Sequence, residues 1–171
     1  KDDKYVSPVP DPRLNLTRIF TLSEPIDANL GTIMVEENPD GCTMSREMRL
    51  LKLGDELVEY ESFTTTPPFQ FIGCKRGQLD SKAASYPKGF KFGKLDVDTW
   101  TKFVRFDQRT SIQAEVAREI GKLYAETGFK FVYFDGAEDV HPPYWFNVAN
   151  SQYEVYKCLK PEPLFSEGAA K

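Results

Sequence analysis

The chain has few of the residue types that most directly betray a chemistry. Its 171 residues include one histidine, His141, and three cysteines, Cys42, Cys74 and Cys158. Ligands so widely spaced offer no C-x-x-C pair and no histidine cluster, so no zinc or other metal centre is expected. The odd cysteine count argues against a complete disulfide framework. A single Cys42–Cys74 bridge stays open beside the plainer reading of three thiols used as small hydrophobes. No Gly-rich phosphate loop, dinucleotide fingerprint or nucleophilic Ser/Cys–His motif is present, so no cofactor and no histidine-based triad are expected. Positive charge is also in short supply. With 22 Lys and Arg against 26 Asp and Glu, the net charge of -4 leaves no basic excess to neutralise phosphates, which argues against a nucleic-acid partner. No apolar run approaches the roughly 20 residues of a membrane span. The charged, proline-rich start, KDDKYVSPVPDP, is neither a signal peptide nor an anchor, and it lacks an initiator methionine. A processed product or a piece of a longer protein is the expectation.

The residues that are present divide the chain in three. Residues 1–13 carry Pro8, Pro10 and Pro12 at alternate positions, which fixes φ repeatedly and removes donors, so an extended lead-in is expected. Residues 14–95 alternate short β-like runs with turn signals. Candidate strands are 18–22, 32–36, 49–53, 56–60 and 69–73, separated by Ser23-Glu24-Pro25, Asn38-Pro39-Asp40-Gly41, Gly54-Asp55 and Pro67-Pro68. Gly54-Asp55 marks a tight hairpin. A β module of five to seven short strands is expected, as a small barrel or a sandwich.

Residues 96–171 change period. The apolar run 102–106 ends in Asp107. Thr110 and Gln113 then have capping-box spacing. Ile112, Val116, Ile120, Leu123 and Tyr124 mark one helical face, and Gly128 stands where helices commonly stop. The run 129–134 is almost wholly apolar, as in a strand covered on both faces, and leads into Asp135-Gly136. A polar loop with Pro142-Pro143 and a weaker helix near 151–159 follow. The spacing predicts two β-α units with parallel strands 102–106 and 129–134 joined by a right-handed crossover.

Open α/β sheets and (β/α)8 barrels bind ligands at the carboxyl ends of their strands. Neighbouring parallel strands would bring Asp107 and Asp135 onto one substrate. Glycoside hydrolysis needs such a pair, one carboxyl group giving a proton while the other attacks carbon or activates water. The loop after Asp135 adds Glu138, Asp139 and His141, then Tyr144, Trp145 and Phe146. Acid groups beside aromatic rings suit a sugar, whose C–H faces stack on rings while its hydroxyls bind carboxylates. The candidates are therefore Asp135, Asp107 and Glu138 as catalytic groups, with Asp139, His141, Tyr144 and Trp145 holding substrate. Plainer readings stand beside these. An Asp before Gly is an ordinary turn residue, loop charges are commonly solvated, and Tyr144, Trp145 and Phe146 could pack on the next helix. Cys74-Lys75-Arg76-Gly77 with Lys82, Lys88, Lys91 and Lys94 forms a basic stretch. It fits either an anionic sugar or a solvated face that keeps strand edges from pairing.

The run Leu53 to Tyr60 (LGDELVEY), then Pro67-Pro68-Phe69, Gly73-Cys74-Lys75-Arg76-Gly77, Lys88-Gly89 and Gly93, resembles a β module inserted in large bacterial carbohydrate-active proteins of glycoside-hydrolase-like (β/α)8 type. There it precedes a helix and a strand ending in Phe-Asp-Gly, here Phe134-Asp135-Gly136, and the lead-in Tyr5 to Pro12 is similar too. The resemblance covers about Tyr5 to Glu138. It implies an α/β plus β fold, partial (β/α)8-barrel units following a small all-β inserted module. It also implies a secreted or periplasmic setting, and a nucleophile or proton-donor role that carries over to Asp135 alone. A whole barrel takes about 250 residues, so the remainder of a parent polypeptide, or other chains, would complete it. The expected function is a portion of a glycoside hydrolase acting on a poly- or oligosaccharide. The alternatives are a non-catalytic carbohydrate-binding or scaffold segment and a uronate-directed lyase.

Overall fold

The computed structural model describes residues 11–42, 49–97, 104–135 and 145–168, with 165–168 as backbone. The chain divides into two compact units, 1–107 and 108–171.

In the first unit the strands are β1 (Leu16–Thr21), β2 (Thr32–Met34), β3 (Leu50–Leu53), β4 (Glu56–Glu59), β5 (Ser62–Phe63), β6 (Gln70–Ile72) and β7 (Lys91–Leu95). They make two antiparallel sheets, in the orders β1-β7-β3-β4 and β2-β6-β5. The sheets join along both edges. Leu22 bridges Val35, with the Glu36 N–H donating to the Thr21 carbonyl, and Glu59 bridges Lys75 as the chain runs from β4 into β5. The strands thereby close into a small antiparallel barrel, which leaves few edges to pair with other chains. Alternation along each strand follows from the period of two. Leu51, Leu53, Val58 and Phe92 enter an inner core with Phe20, Ile33 and Phe71, while Leu50, Leu57 and Leu95 form an outer cluster under Leu79, Val104 and Phe106.

The hairpin at Gly54-Asp55 is present, Leu53 pairing Glu56 across it. All five candidate strands of the module are present, and β5 and β7 join them. The basic stretch is not one surface. Arg76 and Lys94 are taken into the unit, Arg76 against the wholly buried Glu56 carboxylate (Nε–Oε1 2.7 Å) and Lys94 at 5% exposure. Cys42 and Cys74 are buried free thiols.

The second unit contains α1 (Ile112–Thr127), β8 (Phe131–Phe134), α2 (Trp145–Cys158) and β9 (Phe165–Gly168). Gly128 ends α1 in the left-handed conformation, its N–H donating to the Tyr124 carbonyl. The N-cap falls one residue beyond the expected Thr110. Ser111 takes the N-cap position without a side-chain bond, and Gln113 turns to α2 instead. The buried face of α1 is Ile112, Ala117, Gly121 and Tyr124, whereas Ile120 and Leu123 are exposed. The reason is the close approach of α2: a Cβ added to Gly121 would stand 2.6 Å from the Cys158 carbonyl oxygen. The small residues therefore define the contact, and the bulky ones lie beside it.

The partial (β/α)8 barrel is overturned. The described residues form mostly small antiparallel sheets with two helices, and their parallel pairing is confined to β8 and β9, in the register Phe131–Phe165 to Phe134–Gly168. The run 102–106 is not a parallel neighbour of β8. Of its described residues, Val104 bridges Val97 and Phe106 bridges Leu14, both antiparallel. These pairings return the chain to the β unit after Leu95, which is why the division falls at Asp107 and not at the composition change. No helix of the described residues is long and apolar enough to cross a membrane.

Candidate functional site

The connection β8–α2–β9 fixes where the second unit can present chemistry. In a parallel pair both strands end at the same edge, and the helix between them starts near that edge. Asp135 follows the last residue of β8, and Phe134 is in register with Gly168. Val132 and Phe134 face the helices, packing with Ala117, Tyr124, Val155 and Leu159. Phe131 and Tyr133 alternate to the other face, where they are 47% and 50% exposed, and Asp135 continues that alternation as an exposed residue. The strand expected to be covered on both faces is thus covered on one.

The two helices run the same way. Gln113, in the first turn of α1, donates from Nε2 to Ser151 Oγ at 2.7 Å and to the Asn147 carbonyl at 3.2 Å, and accepts from Asn150 Nδ2. At the far ends Gly121 meets Cys158. Both helix starts therefore lie at the carboxyl edge of β8, and the polar bonds of Gln113 hold the first two turns of α2 there. Trp145 and Phe146, expected in the loop, are the first residues of α2, 49% and 76% exposed. The site thus has one carboxylate at the strand end and exposed aromatic rings on the strand face and on the helix that follows.

Of the sequence candidates, Asp135 and Trp145 belong to this arrangement. Asp107 belongs to the first unit, where its N–H donates to the Arg13 carbonyl at 2.7 Å. It does not end a parallel strand, and the geometry that recommended it is gone. Glu138, Asp139, His141 and Tyr144 lie outside the described residues. The sequence reading passed over β9. Its signal was a repeat of the β8 ending: Phe134-Asp135-Gly136 and Ser166-Glu167-Gly168 both place an acid before a glycine. The short run after Pro161 and Pro163 hid it. Among the described residues no group of His, Cys, Asp and Glu could hold a metal ion.

The first unit carries a separate feature. A half-open pocket of about 230 Å³ sits where β4 passes into β5, lined by Arg49, Glu59, Tyr60, Glu61, Gly73 and Lys75. Its charges are of both signs, and Tyr60 is buried beneath them with its hydroxyl donating to the Cys42 carbonyl at 2.8 Å. Burial raises the Tyr60 hydroxyl and Cys42 thiol above their usual ranges, so both remain protonated packing groups at neutral pH. No family model, curated protein or solved structure matches the chain.

Proposed function

We propose that the chain acts on a carbohydrate, as a portion of a glycoside hydrolase, with Asp135 as a working carboxylate. The observation that supports this is the position of Asp135 at the carboxyl end of β8, exposed on the same strand face as Tyr133. Ligands of α/β folds gather at that edge. A carboxylate there can give a proton to a leaving oxygen, activate water or attack the sugar carbon. Exposed Tyr133, Trp145 and Phe146 offer rings to the apolar faces of a sugar. The Gln113 bonds to Asn147, Asn150 and Ser151 fix the first turns of the helix that Trp145 begins, and a site needs a rigid frame if binding is to be spent on chemistry.

The test uses the full chain against 4-nitrophenyl glycosides and against polysaccharides scored by released reducing ends. Asp135→Asn keeps the shape of the side chain and removes its proton chemistry. The expected result is a loss of turnover of about 10²–10⁴-fold with KM changed little. Unchanged turnover in the variant overturns the reading.

A second reading, a non-catalytic carbohydrate-binding segment, draws on the pocket of the first unit. Paired acidic and basic side chains there suit the hydroxyls of a sugar unit. Binding of a glycan that is insensitive to Asp135→Asn but lost with Lys75→Ala and Glu61→Gln would favour it.

A further inference from the structure

The side of α2 turned away from α1 carries a stripe of its own. Val155 packs with Ala117 and Tyr124 of α1, and Ser151 bonds to Gln113. At about 100° per residue, Phe146, Ala149, Tyr153 and Tyr156 fall within a strip about 80° wide on the opposite side of the helix. All four are exposed, Phe146 by 76%, Tyr153 by 59% and Tyr156 by 44%. Positions i, i+3, i+7 and i+10 are the a and d places of two heptads, the narrow seam by which one helix packs on another. A surface helix ordinarily has one apolar face; α2 has two, and α1 takes one of them.

The order of sizes along the seam says what fits it. Two copies of α2 laid in the same direction would set Ala149 on the partner's Ala149 between layers of rings and leave a gap. Laid in opposite directions about a two-fold axis near Ser151, Phe146 meets the partner's Tyr156 and Ala149 meets the partner's Tyr153. Each small side chain then faces a large one. A two-fold pairing needs this self-complementarity, because a contact of i with j has to recur as j with i. An aromatic side chain offers about 150–250 Å², so at these exposures the three rings present about 350 Å² per copy and about 700 Å² in the pair. The flanking residues of this 14-residue helix, among them Lys157 with its ammonium 5.0 Å from the centre of the Tyr153 ring, bring the total to about 1,000 Å². That is the lower end of specific interfaces.

We infer that α2 is an interface between two copies of this chain, which pair antiparallel through Phe146, Ala149, Tyr153 and Tyr156. This goes beyond the carbohydrate reading and does not depend on it. Asp135 and Tyr133 are not part of the seam, whereas Phe146 serves the pair and not a sugar. At this size the pair is weak and exchanging, so protein concentration sets its population.

Sedimentation velocity of the full chain, from about 2 to about 300 µM, tests this. The expected result is a weight-average mass that rises from one chain toward two. Phe146→Lys and Tyr156→Glu each set a charge against a ring, and each should weaken the pairing about tenfold or more. The double variant Phe146→Lys/Tyr156→Glu sets a cation opposite an anion twice and should recover most of the loss. Ala149→Glu, opposite the partner's Tyr153, is an independent variant expected to behave like the single ones. Far-UV circular dichroism confirms that each variant is folded, which these exposed helical positions allow. One chain at every concentration overturns the inference. Pairing that every single variant leaves unchanged overturns α2 as the interface. Losses in the single variants without recovery in the double variant overturn the antiparallel arrangement.

Discussion

The two units manage their exposed backbone and apolar surface in opposite ways. In the first, seven strands close on themselves and two clusters of buried residues fill and coat the barrel. Its wholly buried acid is met on both oxygens. The Glu56 carboxylate accepts from Arg76 Nε and Nη2 at 2.7 and 2.8 Å and from the N–H groups of Gly77 and Ala84 at 3.0 and 3.1 Å. In the second, a small cluster of Ala117, Tyr124, Val155 and Leu159 lies between two helices and a two-stranded parallel sheet, while Leu123, Phe131, Tyr133, Trp145, Phe146 and Tyr153 remain exposed. Parallel sheets are ordinarily covered on both faces. The contrast separates a unit that buries most of its large apolar side chains from one that leaves several of them exposed.

The largest way to break the comparison is to unmake the Glu56 network. Arg76→Ala leaves a wholly buried carboxylate with two backbone donors and no counter-charge. Removing one member of such a pair costs about 3–5 kcal/mol, because the survivor stays buried and uncompensated. Hydrogen exchange read separately on β3–β4 amides and on α1 amides checks it. Protection should collapse in β3–β4. An equal fall in α1 would show that the two units unfold as one and that the contrast is not energetic.

Much of the first unit was legible because its information is local. Turn residues punctuate it, Gly54-Asp55 sets a hairpin register, and the five strands read from alternation are all present. β7 was missed because Lys91, Gly93 and Lys94 look like a solvated patch. Their neighbours β1 and β3 are distant in sequence, and only that pairing shows Lys94 to be buried, with Nζ donating to the Leu95 carbonyl. The second unit was legible in its helix, its Gly128 stop and β8, but not in its pairing. An apolar run such as 102–106 carries no mark of its partner, and antiparallel bridges to Leu14 and Val97 claimed its last residues. The site was half legible for the same reason. Asp135 is marked by its own strand, whereas Asp107 was recommended by a pairing that does not form.

A smaller effect sharpens the comparison from the side of the second unit. Among its described residues the helix contact is the main packing, so its integrity depends on the depth to which α2 sinks onto α1 at Gly121. Gly121→Val places branched carbons where the Cys158 carbonyl and Cβ already stand within 3 Å of a Cβ. Overpacking of this kind costs about 1–3 kcal/mol. Far-UV circular dichroism in a urea titration should show the loss. Because the helices carry Trp145, the variant should also weaken any glycan binding that quenches its fluorescence. A variant as stable as the parent chain would mean that the helix contact is not what holds this unit.

The smallest effect depends on pH and belongs to the barrel. Burial pushes the Cys74 thiol up to about 12 from 9.0, with the Arg76 charge opposing in part. A folded-state value above the unfolded one means that the native state holds its proton longer. The contribution is therefore intact below about pH 9 and is lost as pH climbs toward 12, where the unfolded chain has already ionised. Between pH 7.5 and 9.5 this thiol accounts for about 1 kcal/mol of lost stability at most. Cys74→Ala lowers stability at both pH values by opening space in the core, yet it should shrink the difference between them by that amount. Urea midpoints of the first unit measured at the two pH values give the difference directly. An unaltered difference would place the alkaline sensitivity elsewhere in the barrel, where burial also raises Cys42 and Tyr86, the latter to about 12.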